Sequence, residues 1–195
     1  MIYLIYFSLF VEAVVIVVCF SAGLDFFISA LRRNAPEIPS SAKLRAAIVR
    51  EIAENYPDAK TVLDIGACYG GMARAVAVKF PDKKVFGIEI MPAPYLVSRI
   101  LKFFRGPKNM GLIFGDGMKF VEKSDGFDIG ITWLLSPMMG RVEKISGKFG
   151  VMLVLDFKLP NKTPTRVIKL HATGARASAP FHILYVYENP RIKSA

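Results

Sequence analysis

Thr61–Val62–Leu63–Asp64–Ile65–Gly66–Ala67–Cys68–Tyr69–Gly70–Gly71 decides the fold of this 195-residue chain. Apolar and β-branched residues lead to an acid, and a glycine-rich turn follows at once. Residues 72–78 then have the composition of a helix. The order is strand, tight loop, helix start. Glycine accepts positive φ and lets backbone pass close to a ligand, and a helix start offers N–H groups without intrahelical partners. The dinucleotide fingerprint requires G-x-G-x-x-G. The run Gly66-x-Cys68-x-Gly70-Gly71 fails it, and Met72 stands where a phosphate loop needs Lys. What remains is D-x-G-x-x-x-G, with Asp64 two residues before the first glycine.

Outward from this unit, strands and helices alternate. Lys84–Glu89 is a second buried strand, and its terminal acid lies 25 residues after Asp64. A helix is predicted over 95–104, ended by Gly106 and Pro107. Residues 111–114 form a third strand whose terminal loop is Gly115–Asp116–Gly117. Strands over 127–133 and 150–155 follow, with a short helix over 137–146 between them. After Pro160 the pattern changes to two strands, 166–170 and 181–187, read as an antiparallel pair closing the sheet edge. Upstream, 41–55 is a helix with Ser40 or Ser41 as cap and Leu44, Ile48 and Ile52 as its apolar stripe. The expected fold is α/β: a Rossmann-like, seven-stranded, mostly parallel sheet covered on both faces.

The N-terminus has a different character. Residues 2–24 are almost wholly apolar, with Glu12 as the only charge. As a helix they span about 34 Å at 1.5 Å per residue, enough to cross a bilayer core. No Lys or Arg precedes the run, as a cleaved signal would require. An uncleaved transmembrane helix is therefore expected, with Arg32, Arg33, Lys43 and Arg45 marking the cytoplasmic flank. The matrix side would be equivalent in a mitochondrion. Residues 1–33 form the anchor and juxtamembrane helix, 34–40 a proline-broken linker, and 41–195 the catalytic domain. Glu12 at mid-span costs about 2.5 kcal/mol or more. Either a membrane partner meets it or the helix tolerates it.

Composition narrows the class. Twenty-six basic and 16 acidic residues give a net charge of +10, and 53% of residues are hydrophobic. Such a chain suits anionic lipid or an acidic partner. Its cations are scattered rather than interleaved with aromatics, so no nucleic-acid surface is expected. Cys19 and Cys68 make neither a disulfide framework nor a zinc pattern, and no metal site is expected.

In an open α/β sheet, ligands sit beyond the carboxyl ends of the strands. Asp64, Glu89 and Asp116 fall at or near three successive ends. Together with the glycine loop they resemble the class I, seven-stranded S-adenosylmethionine (SAM) methyltransferases. The resemblance implies SAM as cofactor. The loop residues Asp64, Gly66, Ala67, Cys68 and Gly70 would back its methionine part. Glu89, with Ile90 beside it, would take both ribose hydroxyls, while Asp116, Gly117 and Met118 would meet adenine.

Further stretches resemble a small membrane-anchored lysine methyltransferase family, whose mitochondrial members modify the ATP synthase c-subunit and the adenine nucleotide translocase. They are Ala35–Pro36–Glu37–Ile38–Pro39–Ser40, the run from Ile88 to Val97, Trp133–Leu134–Leu135–Ser136–Pro137, and Asp156–Phe157–Lys158–Leu159–Pro160. That family usually carries acid-Gly-Arg after the loop's central glycine, where this chain has Cys68–Tyr69–Gly70–Gly71. The expected activity is methyl transfer to a lysine of a membrane or membrane-associated protein. Trp133, Ser136 and Pro137 would border the acceptor pocket. Core packing is the plain alternative for Trp133, and structural roles are expected for His171 and His182. A methyltransferase for a lipid or quinone-like molecule, or an inactive SAM-binding interaction protein, are the rival readings.

Overall fold

The computed structural model describes residues 2–31, 40–171 and 181–189. The apolar runs pair into one sheet: β1 (Thr61–Ile65), β2 (Lys84–Glu89), β3 (Met110–Phe114), β4 (Phe127–Thr132), β5 (Phe149–Leu155), β6 (Arg166–His171) and β7 (Phe181–Glu188). Their order is β3-β2-β1-β4-β5-β7-β6. The first five strands are parallel, and β7 runs antiparallel to both β5 and β6. The expected sheet and its antiparallel closure are therefore present. The order reverses at β1, so β1 and β4 are the neighbours between which a ligand crevice opens.

Alternate residues of each strand feed opposite faces. Val62, Val85, Ile129 and Val151 join one core with Ile48 and Ile52 of α2 (Ala42–Asn55) and Ala73 and Val76 of α3 (Gly71–Lys79). Leu63, Ile88, Met152 and Val154 join the other with Met139, Val142 and Ile145 of α6 (Met139–Ile145). Between the two layers of helices, strand register is locked at the amino ends. Asp128 Oδ2 accepts from the N–H groups of Lys60 and Thr61 at 2.7 and 2.8 Å and from Thr61 Oγ at 2.9 Å. At the same end Lys83 is fully buried, its ammonium donating to the carbonyls of Pro57 and Ala59.

Several boundaries differ from those the sequence suggests. α4 begins three residues early and covers Pro92–Arg105, because Pro fits the first helical turn, where its missing N–H is no loss. The loop expected after β3 becomes α5 (Gly117–Glu122), capped by Asp116, whose side chain accepts from Met118 and Lys119 N–H. Trp133 lies just beyond β4 rather than in it. The single helix expected over 137–146 is a 3₁₀ turn, Ser136–Met138, leading into α6. The expected linker over 34–39 and the flank at Arg32 and Arg33 lie outside the described residues.

α1 (Ile2–Leu31) is 30 residues long, about 45 Å at 1.5 Å per residue. Ile5, Phe7, Phe10, Val11, Val15, Ile16 and Phe20 are all exposed, and together they surround the helix rather than form a stripe. Among the described residues no helix is long and apolar enough to cross a membrane. Glu12 accepts a hydrogen bond from Ser8, one turn earlier, at 3.1 Å. Among the described helices α1 lies next to α4.

Candidate active site

The turn after β1 folds tightly because three residues take positive φ: Gly66 (79°), Cys68 (50°) and Gly70 (73°). The N–H groups of Gly66 and Ala67 both donate to the carbonyl of Ile88 at 3.0 Å, tying the loop to β2. Glu89, at the end of β2, closes the tie. Its Oε2 accepts from Cys68 N–H at 2.7 Å and its Oε1 from Met91 N–H at 2.8 Å. Each carboxylate oxygen has two lone pairs, so both retain acceptor capacity toward a vicinal diol.

Asp64, on β1 beneath the loop, accepts from Ala73 N–H at 3.2 Å. Asp64 and Glu89 are 5% and 8% exposed. Burial pushes the Asp64 carboxyl up to about 7, against the Ala73 hydrogen bond, and the charge of Glu89 pushes the same way. Among the described ion pairs neither carboxylate has a cation. Two buried acids on neighbouring parallel strands thus flank one loop with no positive partner. That is an environment for a cationic, hydroxyl-bearing ligand.

Asp116 is placed differently. Besides capping α5, its Oδ2 pairs with Arg141 at 2.8 Å. Burial would raise its carboxyl, but Arg141 and the N–H groups of Lys119 and Met118 outweigh burial and hold it below the usual range. Its side chain therefore serves α5 and α6 first. Gly117 lets α5 approach, since a Cβ there would stand 2.7 Å from Ile65 Cγ2. Met118 is buried below, and Ile90 is exposed at the rim.

On the β4 side, Leu134 lies over the loop; a Cβ on Gly66 would meet its Cδ2 at 2.7 Å. Trp133, its neighbour, turns the other way and stands edge-on to His182, with ring centroids 5.1 Å apart. His182 Nδ1 lies 2.9 Å from Asp156 Oδ2, and Asp156 Oδ1 accepts from Ile183 N–H at 3.0 Å. Asp156 directly follows β5 and holds φ of 63°. This Trp–His–Asp group sits at the carboxyl edge of the sheet beside the expected acceptor side. The residue signal was an acid directly after an apolar strand, as with Glu89. Its histidine partner, 26 positions later, has no local pattern. Ser136 and Pro137 are exposed. The side chain of His171 lies outside the described residues. On the outer side of the loop, a groove of about 470 Å³ runs between α3 and α4, lined in part by Arg45, Cys68, Arg74 and Lys102. It does not include Glu89, Asp64 or Asp116 and is separate from the crevice at the strand ends.

No family model and no curated protein matches the sequence. Solved structures do match its fold. An RNA methyltransferase from Salinibacter ruber, in complex with S-adenosyl-L-homocysteine, superposes with a TM-score of 0.61 at 15% identity, over 77% of this chain and 93% of that one. A precorrin-6y C5,15-methyltransferase from Geobacter metallireducens gives 0.60 at 14%, over 80% and 92%. Cofactor-bound Rv0187 from MTB gives 0.61 at 15%, over 87% and 90%. The chain shares their fold. That likeness agrees with the sheet topology.

Proposed function

We propose that this chain is a SAM-dependent methyltransferase, held at a membrane by α1, that modifies a lysine of a membrane or membrane-associated protein. The observation that carries the cofactor assignment is the pair of buried carboxylates, Asp64 and Glu89, which flank the glycine loop and have no cation paired to them among the described residues. SAM presents an ammonium, a sulfonium and a ribose diol to such a site, and bound there it would supply an electrophilic methyl group. Glu89 would accept the two ribose hydroxyls. Asp64 would favour the positive charge of the methionine end. Ile90, Gly117 and Met118 would flank adenine, with Asp116 offering its remaining lone pairs to the amino group.

On the acceptor side, a lysine amine must shed its proton before it can attack, since its usual pKa is about 10.4. His182 is the candidate acceptor of that proton. With Nδ1–H donating to Asp156, Nε2 keeps its lone pair. Trp133 offers a ring face to an ammonium, and Leu134 excludes water above the loop. The lysine assignment itself rests on the sequence resemblance. The anchor rests on the all-round apolar surface of α1 and on the basic residues after it, which support a domain on the cytoplasmic or matrix side.

The test is transfer of labelled methyl from SAM by the full chain in membranes, with protein and lipid separated afterwards. Label should appear on lysine in protein, and Glu89→Ala should abolish it. Label in extractable lipid alone would replace the lysine reading with the small-molecule one. No label from a chain that binds SAM would leave an interaction protein.

A further inference from the structure

α4 is turned inside out by the usual rule for surface helices. A helix on a globular domain puts its apolar stripe on the core and its charges outward. Here the buried positions are Pro94 and Ser98, four residues apart. Leu96, Ile100, Phe103 and Phe104 repeat at helical spacing on another face, and all four are exposed. Phe103 is 84% and Phe104 74% exposed, and their rings meet edge-to-face, with centroids 5.2 Å apart. α1 lies alongside α4, yet it leaves both rings uncovered.

The charges of α4 and of the loop after it have one sign. Between Glu89 and Asp116 the chain carries four cations, Arg99, Lys102, Arg105 and Lys108, and no acid. The groove between α3 and α4 adds Arg45 and Arg74, and no acid lines it among the described residues. A twofold contact with a second copy would set these cations against one another. An apolar face edged by Lys and Arg, with aromatics at the boundary, suits an interfacial helix on anionic lipid.

We propose that the outward face of α4 is a membrane-contact surface for anionic phospholipid. Leu96, Ile100, Phe103 and Phe104 enter the boundary between headgroups and acyl chains, while Arg99, Lys102, Arg105 and Lys108 meet the phosphates. This takes the anchoring of α1 as its starting point, because α1 and α4 then meet the same bilayer. α4 would lie in the plane of the surface, and its amino end, next to Glu89, would bring the strand-end crevice to the headgroups.

The test uses the full chain in vesicles of phosphatidylcholine with and without phosphatidylglycerol, with acyl chains brominated at different depths. Phe103→Trp reports on α4 and Phe10→Trp on α1, and the unsubstituted chain gives the background of its single Trp133. In anionic vesicles the Phe103→Trp emission should shift to the blue and be quenched by shallow bromines. Phe10→Trp should be quenched by deep ones. Each near-surface cation is worth about fivefold, so Lys102→Glu with Arg105→Glu should weaken α4 docking at least tenfold and leave Phe10→Trp unchanged. If Phe10→Trp is quenched and Phe103→Trp is not, α4 faces water and the proposal falls. If Phe103→Trp alone is quenched, the proposal stands and the anchor fails. If neither is quenched, both fall. Quenching at Phe103→Trp that ignores lipid charge overturns the anionic assignment, and a blue shift in detergent that grows with protein concentration hands the face to a second copy.

Discussion

Glu89 joins two jobs in one side chain. It holds the loop through Cys68 and Met91 N–H, and in the proposed complex it accepts ribose. Charge-assisted hydrogen bonds run about 1.5–3 kcal/mol. Glu89→Gln, which keeps one acceptor oxygen, should therefore weaken SAM about tenfold, and Glu89→Ala more, as read by calorimetry; unchanged affinity would remove Glu89 from the site. Asp64 makes a pH prediction. Its folded pKa is about 7, raised from 3.8 chiefly by burial, so the folded state holds a proton that the unfolded chain releases. The stability this contributes is present below about pH 4 and is lost as pH rises through about 7, on the order of a few kcal/mol. Urea unfolding of the full chain in detergent should show Asp64→Asn gaining on the parent between pH 5 and 8. A constant difference would mean that Asp64 is ionised throughout. Both acids were legible in the sequence because an acid at or next to the end of an apolar strand is a local pattern. The Asp156–His182 pair was not, because it is made by β7 folding back on β5. His182→Asn should lower turnover at neutral pH, with lost activity partly restored at higher pH and SAM affinity unchanged.

Elements were legible where hydrophobic period and length agreed, as in β1, β2 and α2. They were not where an element is shorter than its signal. α5 has six residues, too few for a periodic stripe, and only the Asp116 cap marks it. Close packing of that short helix makes Gly117 sensitive. Gly117→Ala would put a methyl 2.7 Å from Ile65 Cγ2 and 3.1 Å from Ile88 Cγ2, an overpacking cost of about 1–3 kcal/mol that should appear as a lower urea midpoint. A second joint lies at the far sheet edge. Tyr56, after α2, donates to Glu188 at 2.7 Å and accepts from Arg166 at 2.8 Å, while Arg166 also pairs with Glu51. Burial, with Glu188 beside it, keeps the phenol protonated well above its usual range. Tyr56→Phe should cost about 1–2 kcal/mol, with the denaturant slope unchanged.

For the whole molecule, the question is what α1 does to a domain whose sheet is already complete. Its apolar surface faces outward on every side, and the proposed anchor predicts that alkaline carbonate leaves the full chain in the membrane pellet. Protease added outside sealed right-side-out vesicles should spare the sheet domain. Release by carbonate would show α1 to be a peripheral contact. The sequence made both α1 and its neighbour α4 legible as helices but not the outward turn of α4's stripe, because a single stripe of Leu, Ile and Phe looks the same whether it faces a core or a bilayer.

The placement of charge along the strands has a consequence for how reactants arrive. Lys83 is sealed at the amino ends of the strands, while Asp64, Glu89, Asp116 and Asp156 all stand at or just past the carboxyl ends. In a protein of net charge +10, these acids gather at one opening of a positive body. In the proposed reaction, a cationic methyl donor and a cationic lysine would be repelled by most of the surface and drawn to that one opening. Capture should therefore depend on the local field rather than on the total charge. Added salt would weaken both the attraction of the opening and the repulsion of the body.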